Sequence, residues 1–213
     1  MSYLYKGWCK VNTHLDYLRL ASWDTGAYTK ILARLMRAWE GDWEHSGWLQ
    51  YDGWAKDGLF IGHGTQAKKS HTILNISGAL AQKMLPTLRD LLGWYCTRID
   101  LQITVEACVM RDDRLAYIRD DTSTENTTLI ESKENDTLYV GSRTAEKFTR
   151  LYEKFLDNDK FLRLEFELKG QQSRAAWEAI TAGEPVDKIF KYHLKRSKLP
   201  PRVIEWFNAY GIT

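Results

Sequence analysis

The sequence predicts an α+β fold: a largely antiparallel central sheet with one polar face, and helices packed on the other face. Three observations predict it. Period-two alternation of apolar and polar residues recurs in several segments. Two windows of helical spacing fall between those segments. The resulting order, strand–helix–strands–helix–strand and then further strands and helices, is that of a sheet covered on one side rather than of alternating βα units. The alternation is clearest in 161–169, where Leu162, Leu164, Phe166 and Leu168 alternate with Arg163, Glu165, Glu167 and Lys169. A strand that buries one face is written this way. In 98–106 the residues Ile99, Leu101, Ile103 and Val105 alternate with Arg98, Asp100, Gln102, Thr104 and Glu106.

In chain order, Val11 to Ala21 reads as a first strand with imperfect alternation. Asp24 then has the character of a helix N-cap. Ala27, Tyr28, Ile31, Leu32, Leu35, Met36 and Trp39 follow at helical spacing, so a helix is expected over 25–40. The segment 41–66, rich in Gly, Trp and Asp, reads as a hairpin around Gly53 to Gly58 with a second strand through Leu59-Phe60-Ile61. His71 to Ser77 alternates again and Gly78 ends it. Ala79 to Leu92 reads as a second helix, with Leu80, Met84, Leu88, Leu91 and Leu92 on its buried side. Pro86 inside that window predicts a kink or an early end. The polar stretch 111–135 holds little to bury and predicts a loop or an ill-formed hairpin. From 136 to 169 three strands are expected, Thr137–Gly141, Phe148–Phe155 and Phe161–Leu168. They are joined by the turns Ser142–Glu146 and Leu156–Asp159. Gln172–Ala182 and Val186–Arg196 read as helices, and Pro200-Pro201 breaks the chain.

The length of 213 residues and the contents of 44% hydrophobic and 27% charged residues are those of an ordinary globular chain, read here as a single domain over 1–213. The net charge of +2 does not by itself imply a polyanionic partner. Charge is local instead: residues 186–213 hold Lys188, Lys191, Lys195, Arg196, Lys198 and Arg202 against Asp187 and Glu205. Such a run is either the wet face of terminal helices or a surface that tracks phosphates. Cys9, Cys96 and Cys108 are scattered without metal-ligand spacing and fit a reducing cytoplasm. No apolar run approaches membrane length and the N-terminus does not read as a signal peptide. Most of the nine Trp are expected in packing, with a few free to stack on unpaired bases. The five histidines form no paired metal motif, and His71 reads as a hydrogen-bonded sheet histidine rather than a ligand. If the alternating strands share one sheet, its polar face gathers Asp100, Glu165 and Glu167 with Arg150, Tyr152 and Lys154. That is acid, base, cation and nucleophile on one surface. The same alternation equally describes a face kept wet by charge.

Four stretches carry a resemblance: HTILNISG (71–78), TRIDLQITVE (97–106), TLYVGSRTAEKFTRLYEKF (137–155) and FLRLEFELKG (161–170), with a looser match at VNTHLDYLRL (11–20). In this order and spacing they resemble the replication initiation factors of rolling-circle plasmids, integrative elements and phages. The resemblance implies a metal-dependent, site-specific nickase and strand transferase of single-stranded DNA that works through a covalent 5′-phosphotyrosine. It implies Tyr152, in RLYEK, as nucleophile, with Tyr139 as the rival. A phenol suits this chemistry because it is also a tolerable leaving group in the rejoining step. Arg150 and Lys154 share its face, where Lys154 can hold the phosphate or lower the phenol pKa. Asp100, Glu165 and Glu167 are implied as ligands of Mg²⁺ or Mn²⁺, hard ions that take carboxylate oxygen. The basic helical stretch 185–213 is then a DNA-binding extension through Lys188, Lys191, Lys195 and Arg196. The implied partners are single-stranded or supercoiled origin DNA and a host helicase, in the cytoplasm of a bacterial cell. Gln102 departs from the pattern, being neutral where an acid or an apolar residue is expected. A catalytically inactive, initiator-derived protein that only binds nucleic acid, or a host complex that handles it, is the alternative.

Overall fold

The structure, a computed structural model, describes residues 11–65, 71–89, 91, 93–106, 127–131, 136–156 and 159–209. Its elements run β1 (Val11–Ser22), α1 (Ala27–Ala38), β2 (Glu44–Trp48), β3 (Tyr51–Lys56), β4 (Leu59–Gly64), β5 (Thr72–Ser77), α2 (Ala79–Leu88), β6 (Tyr95–Glu106), β7 (Thr127–Ile130), β8 (Thr137–Val140), β9 (Lys147–Leu156), β10 (Asp159–Lys169), α3 (Gly170–Thr181), α4 (Val186–Lys195) and α5 (Pro201–Ala209). Among the described residues the strands hydrogen-bond in the order β2-β3-β4-β5-β1-β6-β10-β9-β8-β7. The pairs β1–β5, β2–β3, β3–β4, β4–β5, β7–β8 and β8–β9 are antiparallel. The architecture is the α+β class that the alternation predicts. The chain divides into two compact units, one of residues 15–100 and 168–184, the other of 1–14, 101–167 and 185–213.

In the unit of 15–100 and 168–184, strand register sorts side chains onto two faces. Leu18 lies opposite Ile76 and Leu20 opposite Leu74, which itself lies opposite Ile61. All five are fully buried. Helix α1 covers this face with Ala27, Ile31 and Leu35, and its Tyr28 ring lies 5.0 Å from His63 of β4. The opposite face carries Tyr17, Arg19, Asn75 and Phe60. Asp57 and Gly58, with φ of 46° and 85°, form the two-residue turn between β3 and β4, for which Asp-Gly is a strong signal.

The structure sharpens the sequence reading of this unit at three places, and corrects it at the first. Asp24 is not the N-cap, which is Gly26. Its carboxylate instead accepts the Gly26 N–H at 2.9 Å, making a turn one step ahead of the helix. The helix window drawn to Leu92 is cut to Leu88, the early end that Pro86 predicts by removing a backbone donor. Strand β2, Glu-His-Ser-Gly-Trp, has little strand propensity and is not foreseen; it exists because β3 offers it a ladder.

In the unit of 101–167 and 185–213, Leu101, Ile103 and Val105 of β6, Leu138 and Val140 of β8, Leu151 of β9 and Leu162, Leu164 and Phe166 of β10 are all buried. Helix α4 lies on this apolar face. Its Phe190 ring is 4.9 Å from that of Phe166, and Ile189, His193 and Leu194 are buried with it. Lys147 of β9 fastens the helix end by donating to the carbonyls of His193 and Arg196, both at 2.9 Å. This satisfies C-terminal acceptors and places a cation at the negative end of the helix dipole. The Pro200-Pro201 break is also a start. The Pro200 carbonyl accepts the N–H groups of Val203 and Ile204, and α5 buries Val203 and Phe207. Of the expected loop 111–135, Thr127–Ile130 pairs with β8 as the first strand of a hairpin. The rest of that stretch, apart from Glu131, lies outside the described residues, as do Trp8, Cys9, Leu92, Cys108 and the turn at 157–158.

Two predictions follow from the packing of α4. Phe166→Ala is expected to cost about 3–5 kcal/mol in urea unfolding, because the ring is fully enclosed. Burial, with Lys147 and Arg196 alongside, pulls His193 down from 6.5 to about 4. Its folded-state pKa lies below the unfolded value, so the stabilisation is complete above pH 6.5 and drains away as pH falls toward 4. The expected loss is on the order of 3 kcal/mol, and His193→Gln flattens that part of the stability-versus-pH curve.

Candidate active site

On β9 and β10 the alternation that buries Leu151, Leu164 and Phe166 turns Arg150, Tyr152, Arg163 and Glu165 to the opposite face. That face is only partly open to water. Gln102, Arg163, Glu165 and Glu167 are all buried, so the charge on it demands partners. Glu165 is the hub. Its Oε1 accepts a short hydrogen bond from the Tyr152 hydroxyl, and its Oε2 forms an ion pair with Arg150 Nη2 at 2.8 Å. Arg163 Nη1 lies 3.9 Å from Oε1, and the Arg163 Nε donates to Thr104 Oγ1 on β6 at 3.0 Å. The carboxylate thus sits between two guanidiniums with a phenol directed at it. Burial first, then the hydrogen bond to Glu165 and its negative charge, push the Tyr152 phenol well above its ordinary value, and Arg163 offsets this in part.

The rival tyrosine shares the face. Tyr139 lies directly opposite Arg150 and Thr137 opposite Tyr152. The Tyr139 ring stacks on Phe148 at 5.6 Å under the Arg143 guanidinium, and its hydroxyl has no described acid as acceptor. Tyr152 is the tyrosine with a base in contact. Lys154, two residues on and half-buried, stands on the same face. Glu167 is buried on that face two residues from Glu165. Arg163, which the alternation places on the polar side of its strand without a partner role, approaches Glu165. Its place on the polar side of β10 was legible; the strand neighbour it reaches was not.

Asp100 belongs to the other unit and is held there. Arg98, two residues away on the same face of β6, grips it through both oxygens, at 2.9 and 2.5 Å. Two of the carboxylates implied as metal ligands, Asp100 and Glu165, are therefore already matched to guanidiniums, and among the described residues no three His, Cys, Asp or Glu side chains group to hold an ion. The amide oxygen Oε1 of Gln102 is buried without a hydrogen-bond partner, but one neutral oxygen does not hold Mg²⁺ or Mn²⁺. The donor set in this arrangement does not fit a divalent ion.

Helix α4 carries the implied DNA-binding residues. Lys188, Lys191 and Lys195 fall at helical spacing with the exposed Tyr192, Lys191 pairs with Asp187 at 3.9 Å, and Arg196 covers the Tyr192 ring at 4.0 Å. Because Phe190 packs on Phe166, this stripe lies behind the sheet from Tyr152 and not beside it.

Among solved structures, the rolling-circle replication initiator protein from Geobacillus stearothermophilus superposes with a TM-score of 0.70, over 88% of this chain and 86% of that one, at 16% identity. The chain has the fold of a rolling-circle replication initiator. No protein-family model matches the sequence, and no characterised protein matches it in sequence. The likeness therefore lies in how the sheet and its helices are arranged. Among the described residues no helix is long and apolar enough to cross a membrane.

The Glu165 network makes its own prediction. Glu165→Ala removes the buried carboxylate that Arg150 pairs with and Arg163 approaches, and is expected to cost about 3–5 kcal/mol of stability. Glu165→Gln keeps the shape and removes the charge. NMR of ring-labelled tyrosine is expected to show Tyr152 titrating at lower pH in that variant than in the parent.

Proposed function

We propose that the chain is a member of the rolling-circle initiator group that cuts and rejoins single-stranded origin DNA through Tyr152. The observation that carries this reading is the Tyr152 hydroxyl donating to a buried carboxylate set between Arg150 and Arg163. A substrate phosphate entering beside Arg150 competes for the guanidinium that Glu165 holds, so Glu165 is freed as its positive partner is engaged. Glu165 then takes the phenol proton, and the phenolate oxygen forms a bond to phosphorus. The bond from phosphorus to the 3′-oxygen breaks, the 3′-oxygen takes a proton from water, and the 5′-phosphoryl remains on Tyr152. Arg150, Arg163 and Lys154 offset the charge that develops on the phosphate oxygens. Rejoining is the same path in reverse. No step is assigned to Mg²⁺ or Mn²⁺, since Asp100 and Glu165 are matched to arginines.

A second reading, a binding protein without chemistry, is favoured by one observation. Asp100 and Glu165 are held by Arg98 and Arg150 in ion pairs that would serve equally to brace a sheet with no reaction on it.

Covalent capture separates the two. Incubated with a pool of single-stranded DNA, the parent is expected to give a denaturation-resistant adduct mapped to Tyr152 by mass spectrometry. Tyr152→Phe is expected to abolish it and Tyr139→Phe to retain it. An adduct that vanishes with EDTA returns the carboxylates to metal binding. No adduct with the protein's own origin, while DNA binding persists, leaves the binding protein.

A further inference from the structure

The unit of 15–100 and 168–184 holds a surface that the Tyr152 chemistry does not use. On the sheet face opposite α1, rings and guanidiniums alternate along a line. Tyr51 stacks beside Trp48 at 6.5 Å and 25°. The Arg19 guanidinium lies over Trp48 at 4.6 Å and beside Tyr17 at 5.5 Å. Arg98 covers Tyr17 at 4.7 Å. The line is held in place from beneath. Arg19 Nε donates to Asn75 Oδ1 at 3.0 Å, its Nη2 donates to the Tyr17 hydroxyl at 2.9 Å, and that hydroxyl donates to Asn75 Oδ1 at 3.1 Å. Phe60 supports Trp48 from β4. A side chain at Gly62 would run into the Phe60 ring, so the glycine keeps that ring low on the sheet.

The charges on this line are unequal. Arg98 is matched by Asp100. Arg19 is half-buried between two rings, and among the described residues no carboxylate pairs with it. A partly desolvated guanidinium with amide and hydroxyl partners alone is a standing demand for an anion. Trp48, Tyr51 and Tyr17 are themselves partly exposed.

We infer that this face binds single-stranded nucleic acid, with bases stacking along the Trp48–Tyr17 line and a backbone phosphate taken by Arg19. A single strand has the matching alternation of a flat apolar base and an anionic phosphate. A duplex does not, because its bases are already stacked on one another. The inference deepens the reading above by naming a surface for its substrate, and it requires no reaction at Tyr152.

The test uses the full chain carrying Tyr152→Phe and a fluorescein-labelled oligothymidylate of about fifteen nucleotides, within the usual span of such sites. Anisotropy titrations are read at several salt concentrations. Trp48→Ala is expected to weaken binding about tenfold or more, and Trp48→Phe to keep most of it. Arg19→Gln is expected to weaken binding and to lower the salt slope by about 0.7, the value for one phosphate on a single strand. A duplex of equal length is expected to bind more weakly and to ignore Trp48. Thermal melts check that each variant folds; if Trp48→Ala does not, Trp48→Phe and Arg19→Gln decide. Unchanged binding in both Trp48→Ala and Arg19→Gln overturns the inference. So does equal loss on duplex, or competition by polyglutamate as effective as by unlabelled oligonucleotide. Because the variant lacks the Tyr152 hydroxyl, failure of covalent capture and failure of this surface are read separately.

Discussion

A carboxylate buried to 5% side-chain exposure has to be matched, and Glu165 is matched from two strands at once. Arg150 and Tyr152 come from β9, and Arg163 comes from β10 itself. Arg163 then reaches β6 through Thr104. Removing either arginine leaves the buried Glu165 charge less well matched. The polar face is therefore as demanding about strand register as the apolar face behind it. The back selects register by shape and area, through Phe166 against Phe190. The front selects it by charge and hydrogen-bond geometry. Both requirements are met by the same alignment of β9 and β10, which is what fixes the phenol against its acid.

Much of this was legible. The alternation in 98–106 and 161–169 gave both faces of β6 and β10, and the breaks gave most element ends to within a few residues. What alternation cannot give is what lies over a face, so a buried charged face and a wet one are written alike. Nor does it say which neighbour a side chain reaches, so Arg163 was legible as polar and not as a partner of Glu165. The lysines of α4 were legible as a basic stripe, but the side of the sheet they occupy depends on which helix face Phe190 and Leu194 bury. Strand β2 was hidden because its stability lies in its partner, not in Glu-His-Ser-Gly-Trp. The Arg98–Asp100 pair could have been read from spacing alone, since residues two apart on a strand share a face.

The small net charge conceals a division of labour among the ions. Asp100 and Glu165 are committed to arginines inside the structure, and Asp187 to Lys191 at its surface. Arg19 has no such match among the described residues. Whole-chain charge averages these two populations and so says little about where an anion is welcome. The placement of individual arginines, on a ring or on an acid, says far more.

The register of β8 and β9 also constrains how such a chain can change over generations. Tyr139, Arg150 and Tyr152 share a face because Thr137 lies opposite Tyr152 and Tyr139 opposite Arg150. Inserting or deleting one residue within β9 would send part of that set to the apolar side and bring its leucines forward. Point substitutions can be absorbed there one at a time, but changes of length cannot. Length variation in descendants of this sequence is thus confined to turns such as 142–146, or to steps of two residues. A lineage that broke this rule would have lost its fold before it could lose its chemistry.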